Sequence, residues 1–167
     1  MSSTSGELPE GVTVLDHTAD VAIEIVAPDL PNLFDAAAAG MFALVFGAGE
    51  PSEVEEADGG GELESNASGG SIASASETVR EIDLTAGDLP SALVRWLREL
   101  LYLYQSEGIV YRRAEFETVS EAGTLRARVY GAPSTIPSVR EIKGVPYHNL
   151  EATRRGGGWY ARVVFDV

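Results

Sequence analysis

Only two stretches of this 167-residue chain carry apolar side chains at helical spacing, and the other patterned stretches read as strands. The first helical stripe is Leu33, Phe34, Ala37, Ala38, Met41, Phe42 and Val45, with Asp29 as its cap, Pro31 in its first turn and Gly47 and Gly49 at its end. The second follows Asp88, runs from Pro90 to about Gln105 and carries Leu93, Val94, Leu97, Leu100, Leu101, Leu103 and Tyr104, with Trp96 near the edge of the stripe. Ahead of the first helix, Val12 to Leu15 reads as a short strand. Val21, Ile23 and Ile25 mark a second strand by their alternation. Thr78 to Leu84 is a third. Ile109 to Val119 and Leu125 to Tyr130 form a hairpin turning at Glu121-Ala122-Gly123. Glu141 to Val145, Tyr147 to Ala152 and Trp159 to Val167 read as three closing strands, the last two joined across Gly156-Gly157-Gly158. Strands and helices do not alternate regularly, which excludes a doubly wound parallel sheet. The expected fold class is α+β, one domain over residues 1–167, with a mainly antiparallel sheet covered on one face by two helices.

Residues 48 to 77 interrupt this pattern. Gly, Ser, Ala and Glu dominate them and no basic residue occurs, so they read as an acidic low-complexity insertion without fixed structure.

Charge and composition exclude several function classes. The formal charge is −14, and of the twelve Lys and Arg residues only Lys143 is a lysine. An acidic chain with arginine in place of lysine fits adaptation to a salty cytoplasm, where carboxylates keep the surface hydrated. It also fits a partner with a basic surface. Direct binding to nucleic acid is not expected, because phosphate contacts need a basic patch. Without cysteine, the chain has no disulfide, thiolate nucleophile or Cys-based zinc site. The N-terminus has neither a basic start nor an apolar segment, and no apolar run is long enough to cross a bilayer, so no signal peptide or membrane span is expected. The expected location is the cytoplasm.

Three places could carry chemistry. Asp16-His17-Thr18-Ala19-Asp20 is a polar run that could be a plain turn, but Asp20 directly precedes a strand that would fix its direction. At the other end, the Asp166 side chain and the terminal carboxylate of Val167 are neighbours, and two adjacent anions repel unless a cation or basic group sits between them. Together with Asp20 they would make an oxygen-only donor set suited to calcium or magnesium and not to zinc. Spacing alone does not bring Asp20 to Asp166. Lys143 is the third place. Where every other lysine has become arginine, a retained lysine points to a position that needs a compact ammonium in place of a planar fork. His17 and His148 could be ligands or acid/base groups, or hydrogen-bonded structural residues. No phosphate-binding Gly-Lys-Ser/Thr loop and no Gly-x-Ser-x-Gly elbow occurs, and Lys143 is followed by Gly-Val-Pro, unlike the lysine nucleophile of covalent nucleotidyltransferases. An independent enzyme is poorly supported.

Several segments taken together resemble archease. They are Leu15-Asp16-His17-Thr18-Ala19-Asp20-Val21, the alanine-rich helix ending Gly40-Met41-Phe42, Trp96-Leu97-Arg98-Glu99-Leu100-Leu101-Tyr102, Ile142-Lys143-Gly144-Val145-Pro146-Tyr147-His148 and Phe165-Asp166-Val167. The resemblance implies an accessory protein that activates the GTP-dependent tRNA-splicing RNA ligase, which joins 2′,3′-cyclic-phosphate or 3′-phosphate ends to 5′-hydroxyl ends. Archeases help the ligase's active-site histidine accept GMP, allow multiple turnover and can broaden nucleotide choice. Carried over residue by residue, the resemblance makes Asp20, Lys143 and Asp166 functionally important. It assigns a Ca2+ or Mg2+ site to Asp20, Asp166 and the Val167 carboxylate. The family commonly ends in isoleucine, and valine leaves the terminal carboxylate unchanged. Many relatives have Ala, then Val or Ile, then Thr where this chain has Gly144-Val145-Pro146, and Pro146 removes a backbone donor, so that strand is expected to lie at an edge or to end there. The long acidic insertion is atypical. Two other readings compete: a general chaperone or modulator of proteins that process RNA or DNA, and a small metal-dependent hydrolase using Asp20, His17 and Asp166.

Overall fold

A computed structural model of the chain describes residues 8–16, 20–47 and 77–167. Among these residues the order of elements is β1 (Val12–Asp16), β2 (Asp20–Ala27), α1 (Leu30–Phe46), β3 (Thr78–Thr85), α2 (Leu89–Glu107), β4 (Ile109–Val119), β5 (Thr124–Pro133), β6 (Glu151–Arg155) and β7 (Gly158–Asp166). The fold is α+β, as the periodicities predict. The acidic insertion read over 48–77 lies, except for Glu77, outside the described residues, as does any role for His17.

Both helices begin at the expected caps. The Asp29 carboxylate accepts from the Asn32 amide at 2.9 Å, and the Asp88 carboxylate accepts from the Ser91 amide at 2.8 Å, each with a proline in the first turn. These bonds satisfy amides that have no partner within the helix. α2 stops at Gly108, whose φ of 74° suits a residue without Cβ and whose amide donates to the Tyr104 carbonyl at 2.9 Å.

The strands form two antiparallel sheets rather than the single sheet expected. One has the order β1-β2-β7-β6 and the other β3-β5-β4. The reason lies in the helices. α1 buries Leu33, Phe34, Ala37, Ala38, Met41, Phe42, Leu44 and Val45, apolar around most of its circumference, so one covering layer would leave part of it in water. It packs on β2 of the first sheet and β4 of the second, while α2 packs mainly on β3 and β4. Trp96, expected near the edge of its stripe, is fully buried between the layers. Its Nε1 donates to the Phe34 carbonyl at 2.9 Å, and its ring meets Phe34, Tyr111 and Phe116. The Tyr111 hydroxyl donates to the Asp35 carboxylate and ties α1 to β4. Burial, with Asp35 adding to it, pushes this phenol above its ordinary range, so it stays a donor.

Two expected strands are corrected. Glu141 to Val145 makes only a single bridge, Gly144 to Asp166, and the strand placed at Tyr147 to Ala152 begins at Glu151. Pro146 has no amide to continue a ladder, and Asn149 turns the chain at φ 56°. No described helix is long and apolar enough to cross a membrane.

Candidate functional site

β2 and β7 pair antiparallel along their full length, from Ala27 opposite Trp159 to Asp20 opposite Asp166. Val21, Ile23 and Ile25 of β2, with Ala161, Val163 and Phe165 of β7, belong to the buried core under α1. Successive side chains in a strand point to opposite faces, so Asp20 and Asp166 share the other face at the terminal rung. Directly opposite residues on neighbouring strands place their Cβ atoms about 4.5–5.5 Å apart. Two rungs along the same face the charges match, for Glu24 stands opposite Arg162 and accepts from it at 3.4 Å and from the Tyr160 hydroxyl at 3.1 Å. At the terminal rung they do not match. Both side chains are carboxylates, and among the described residues neither is within 4.0 Å of a lysine or arginine nitrogen.

The far flank of β7 supplies the third component. β6 pairs with β7 only from Gly158 to Arg162. Beyond that point the segment carrying Lys143 takes its place: the Lys143 amide donates to the Asp166 carbonyl at 2.7 Å, and the Asp166 amide donates to the Gly144 carbonyl at 3.0 Å. Ile142 and Val145 are buried in the core, and Lys143 is exposed between them and solvent. Its ammonium makes no ion pair within 4.0 Å among the described residues, so the backbone holds this residue at Asp166 while the charge points free. A Cβ built on Gly144 would meet only the Asp166 Oδ2, at 4.0 Å, which is ordinary contact. Glycine here is thus not demanded by sterics, and it leaves the Asp166 carboxylate uncovered.

The fold therefore brings Asp20, Asp166 and Lys143 to one end of the four-stranded sheet. Val167 follows Asp166, with its side chain packed against the core. His148 is exposed on the turn before β6, outside the bridge to β7. The expected set lacked Gly144, the residue that bonds Asp166 through its backbone. No local pattern announces a single bridge, although Pro146 two residues on marks where the ladder must stop.

The donors fit a hard divalent cation by their chemistry. Among the described residues no third His, Cys, Asp or Glu side chain joins the two aspartates.

The Archease protein family (MTH1598/TM1083) matches residues 13–167, which include all of these residues. The chain belongs to the archease family. It is 32% identical over 159 residues to the protein archease of Methanosarcina mazei, spanning 92% of this chain and 93% of that one. With its counterpart in Methanosarcina acetivorans it shares 33% over the same shares of both chains. The solution structure of Methanobacterium thermoautotrophicum protein 1598 is 24% identical and superposes with a TM-score of 0.63 over 94% of this chain and 99% of that one, which shows a common fold.

Proposed function

We propose that this protein is an accessory factor, not an enzyme, that activates the GTP-dependent tRNA-splicing RNA ligase by promoting transfer of GMP to the ligase's active-site histidine, so that the ligase turns over repeatedly. The observation that carries this reading is the convergence of Asp20, Asp166 and Lys143 at one sheet end of a chain in the archease family. Asp20, Asp166 and the Val167 carboxylate would hold Ca2+ or Mg2+, which when bound neutralises the carboxylates that otherwise repel. Lys143, held at Asp166 through its backbone, carries an exposed, compact ammonium suited to a phosphate group of the nucleotide in the ligase.

A protein partner fits the rest of the surface. The charge of −14 disfavours direct contact with RNA. Four of the six large apolar side chains exposed among the described residues lie close in sequence or structure to Lys143. Ile136, Val139 and Tyr147 are on its own segment, and Tyr102 is on α2, against which that segment runs. Aromatic and aliphatic anchors beside a charged site are typical of protein interfaces. Splicing of tRNA places the pair in the cytoplasm, and the arginine-rich, acidic composition suits assays in concentrated salt.

The test mixes the purified protein with its cognate ligase and counts ligation events per ligase molecule. The expected result is many turnovers with the protein and about one without it. Hydrolysis of nucleotide or phosphoester by the protein alone would favour the hydrolase reading. Equal benefit to unrelated RNA- or DNA-processing proteins would favour the chaperone reading.

A further inference from the structure

We propose that Arg98 and Gln105 of α2 are positioning residues that set the register of the Lys143 segment against Asp166, an inference that rests on the proposed role of that site. The Gln105 side-chain amide donates to the Ile142 carbonyl at 3.1 Å, and the Arg98 Nε donates to the Val145 carbonyl at 2.9 Å. These two carbonyls immediately flank Lys143 and Gly144, the residues that bond to Asp166. The Arg98 guanidinium also lies over the Tyr147 ring, 4.7 Å from its centre, and extends the hold two residues further.

The dimensions match. Arg98 and Gln105 are seven residues apart, two turns on one face of a helix, and thus about 10.5 Å apart along its axis. Ile142 and Val145 are three residues apart, and an extended chain covers that number in about 10 Å. The helix acts as a ruler, with the segment laid along it in the opposite direction and held at both marks. Upstream, the Val139 and Arg140 amides both donate to the Val45 carbonyl at the end of α1, at 2.8 and 3.1 Å, so slack cannot be taken from that side.

Burial of Ile142 and Val145 keeps the segment on the protein, but burial is non-directional and tolerates sliding. Directed hydrogen bonds do not. A slide along α2 would carry Lys143 past Asp166 and break both backbone bonds to β7. Gln105 fixes the flank before Lys143 and Arg98 the flank after Gly144, so loss of either loosens one side of a two-residue bridge.

The experiment uses Gln105→Met and Arg98→Met, which keep the side-chain stem and remove the donor. Native-state hydrogen exchange at the Lys143 and Asp166 amides requires no ligase. Either variant is expected to speed exchange at these amides by about tenfold or more, with the amides of Ile23 and Val163 unchanged as a control for global stability. Ligase activation should fall about fivefold at an unaltered melting temperature. Parental exchange at Lys143 and Asp166 would overturn the clamp. Faster exchange with activation equal to the parent's would overturn the positioning role. A parent chain that does not activate the ligase at all would defeat the functional reading and leave the clamp to be decided by exchange alone.

Discussion

The outer face of the three-stranded sheet and the free end of the four-stranded sheet handle charge in opposite ways. On the first, Asp83 on β3 receives two bonds from Arg126 on β5, at 2.9 and 3.1 Å. On the next rung Arg128 stands between Glu81 at 3.6 Å and Glu115 at 3.5 Å, and beyond it Arg113 stacks on Tyr130 with 3.8 Å to the ring centre. Signs alternate from strand to strand, which is the arrangement that stabilises a sheet. At the end of the other sheet Asp20 faces Asp166 across a rung, and the nearest lysine offers its backbone instead of its charge. Like charges directly opposite one another destabilise a pairing. Conflicts of this kind gather at functional or strained sites, and the proposed activity assigns a use to this one.

Removing the exception should have the largest effect. Asp166→Asn or Asp20→Asn is expected to reduce ligase activation about 100-fold, near 2.7 kcal/mol of lost stabilisation, and to weaken calcium binding measured by titration calorimetry. In the presence of a chelator the same variants should melt no lower than the parent, because a repulsion worth a few tenths of a kcal/mol has been removed. A clear drop in melting temperature would mean that the carboxylates are structural and the contrast between the sheets is misread.

A smaller loss is expected for Lys143→Arg. On the three-stranded sheet, arginine serves every charged rung, so an arginine at 143 should be tolerated if that position is ordinary surface. If a compact ammonium is required, guanylylation of the ligase under multiple turnover should fall at least about tenfold, roughly 1.4 kcal/mol, with an unchanged circular dichroism spectrum. Full activation by this variant would leave the lone lysine without a role.

The smallest effect belongs to the ladder itself. A double-mutant cycle on Asp83→Asn and Arg126→Met should give a coupling of about 0.2–1 kcal/mol by denaturant unfolding, falling with added salt, since both side chains are more than half exposed. Ligase activation should not change. A large effect on activation would place the partner on this sheet and end the division of labour between the two.

The helices and hairpins were legible because their signals are local. Asp29 and Asp88 announce the caps, the apolar stripes announce the buried faces, and Gly123 and Gly156-Gly157 announce the turns. Splitting of the strands into two sheets was not legible, because each strand's alternation is the same whichever neighbours it pairs with. Trp96 was misplaced to the edge of its stripe because the second layer that buries it cannot be inferred from α2 alone. The segment from Glu141 to Val145 showed apolar residues that are indeed buried, yet the backbone bonds of a strand are replaced by one bridge to β7 and two side chains of α2. In the candidate site, Lys143 was conspicuous by composition, and Asp20 and Asp166 by their places at strand ends. Their meeting had no local signal at all, because strand partners far apart in the chain leave no mark on each other's neighbours.

That separation bears on how the molecule assembles. Among the described residues β1 with β2, β4 with β5, and β6 with β7 pair as near neighbours along the chain, whereas Asp20 and Asp166 are 146 residues apart. Closing so large a ring costs entropy that only later contacts return, and such pairings form slowly and late. The repulsive rung therefore depends on the same long-range pairing of β2 with β7 that builds the core beneath α1, and that core holds it. A chain in which β2 and β7 have not paired lacks the carboxylate pair and offers a partner nothing to engage at this end.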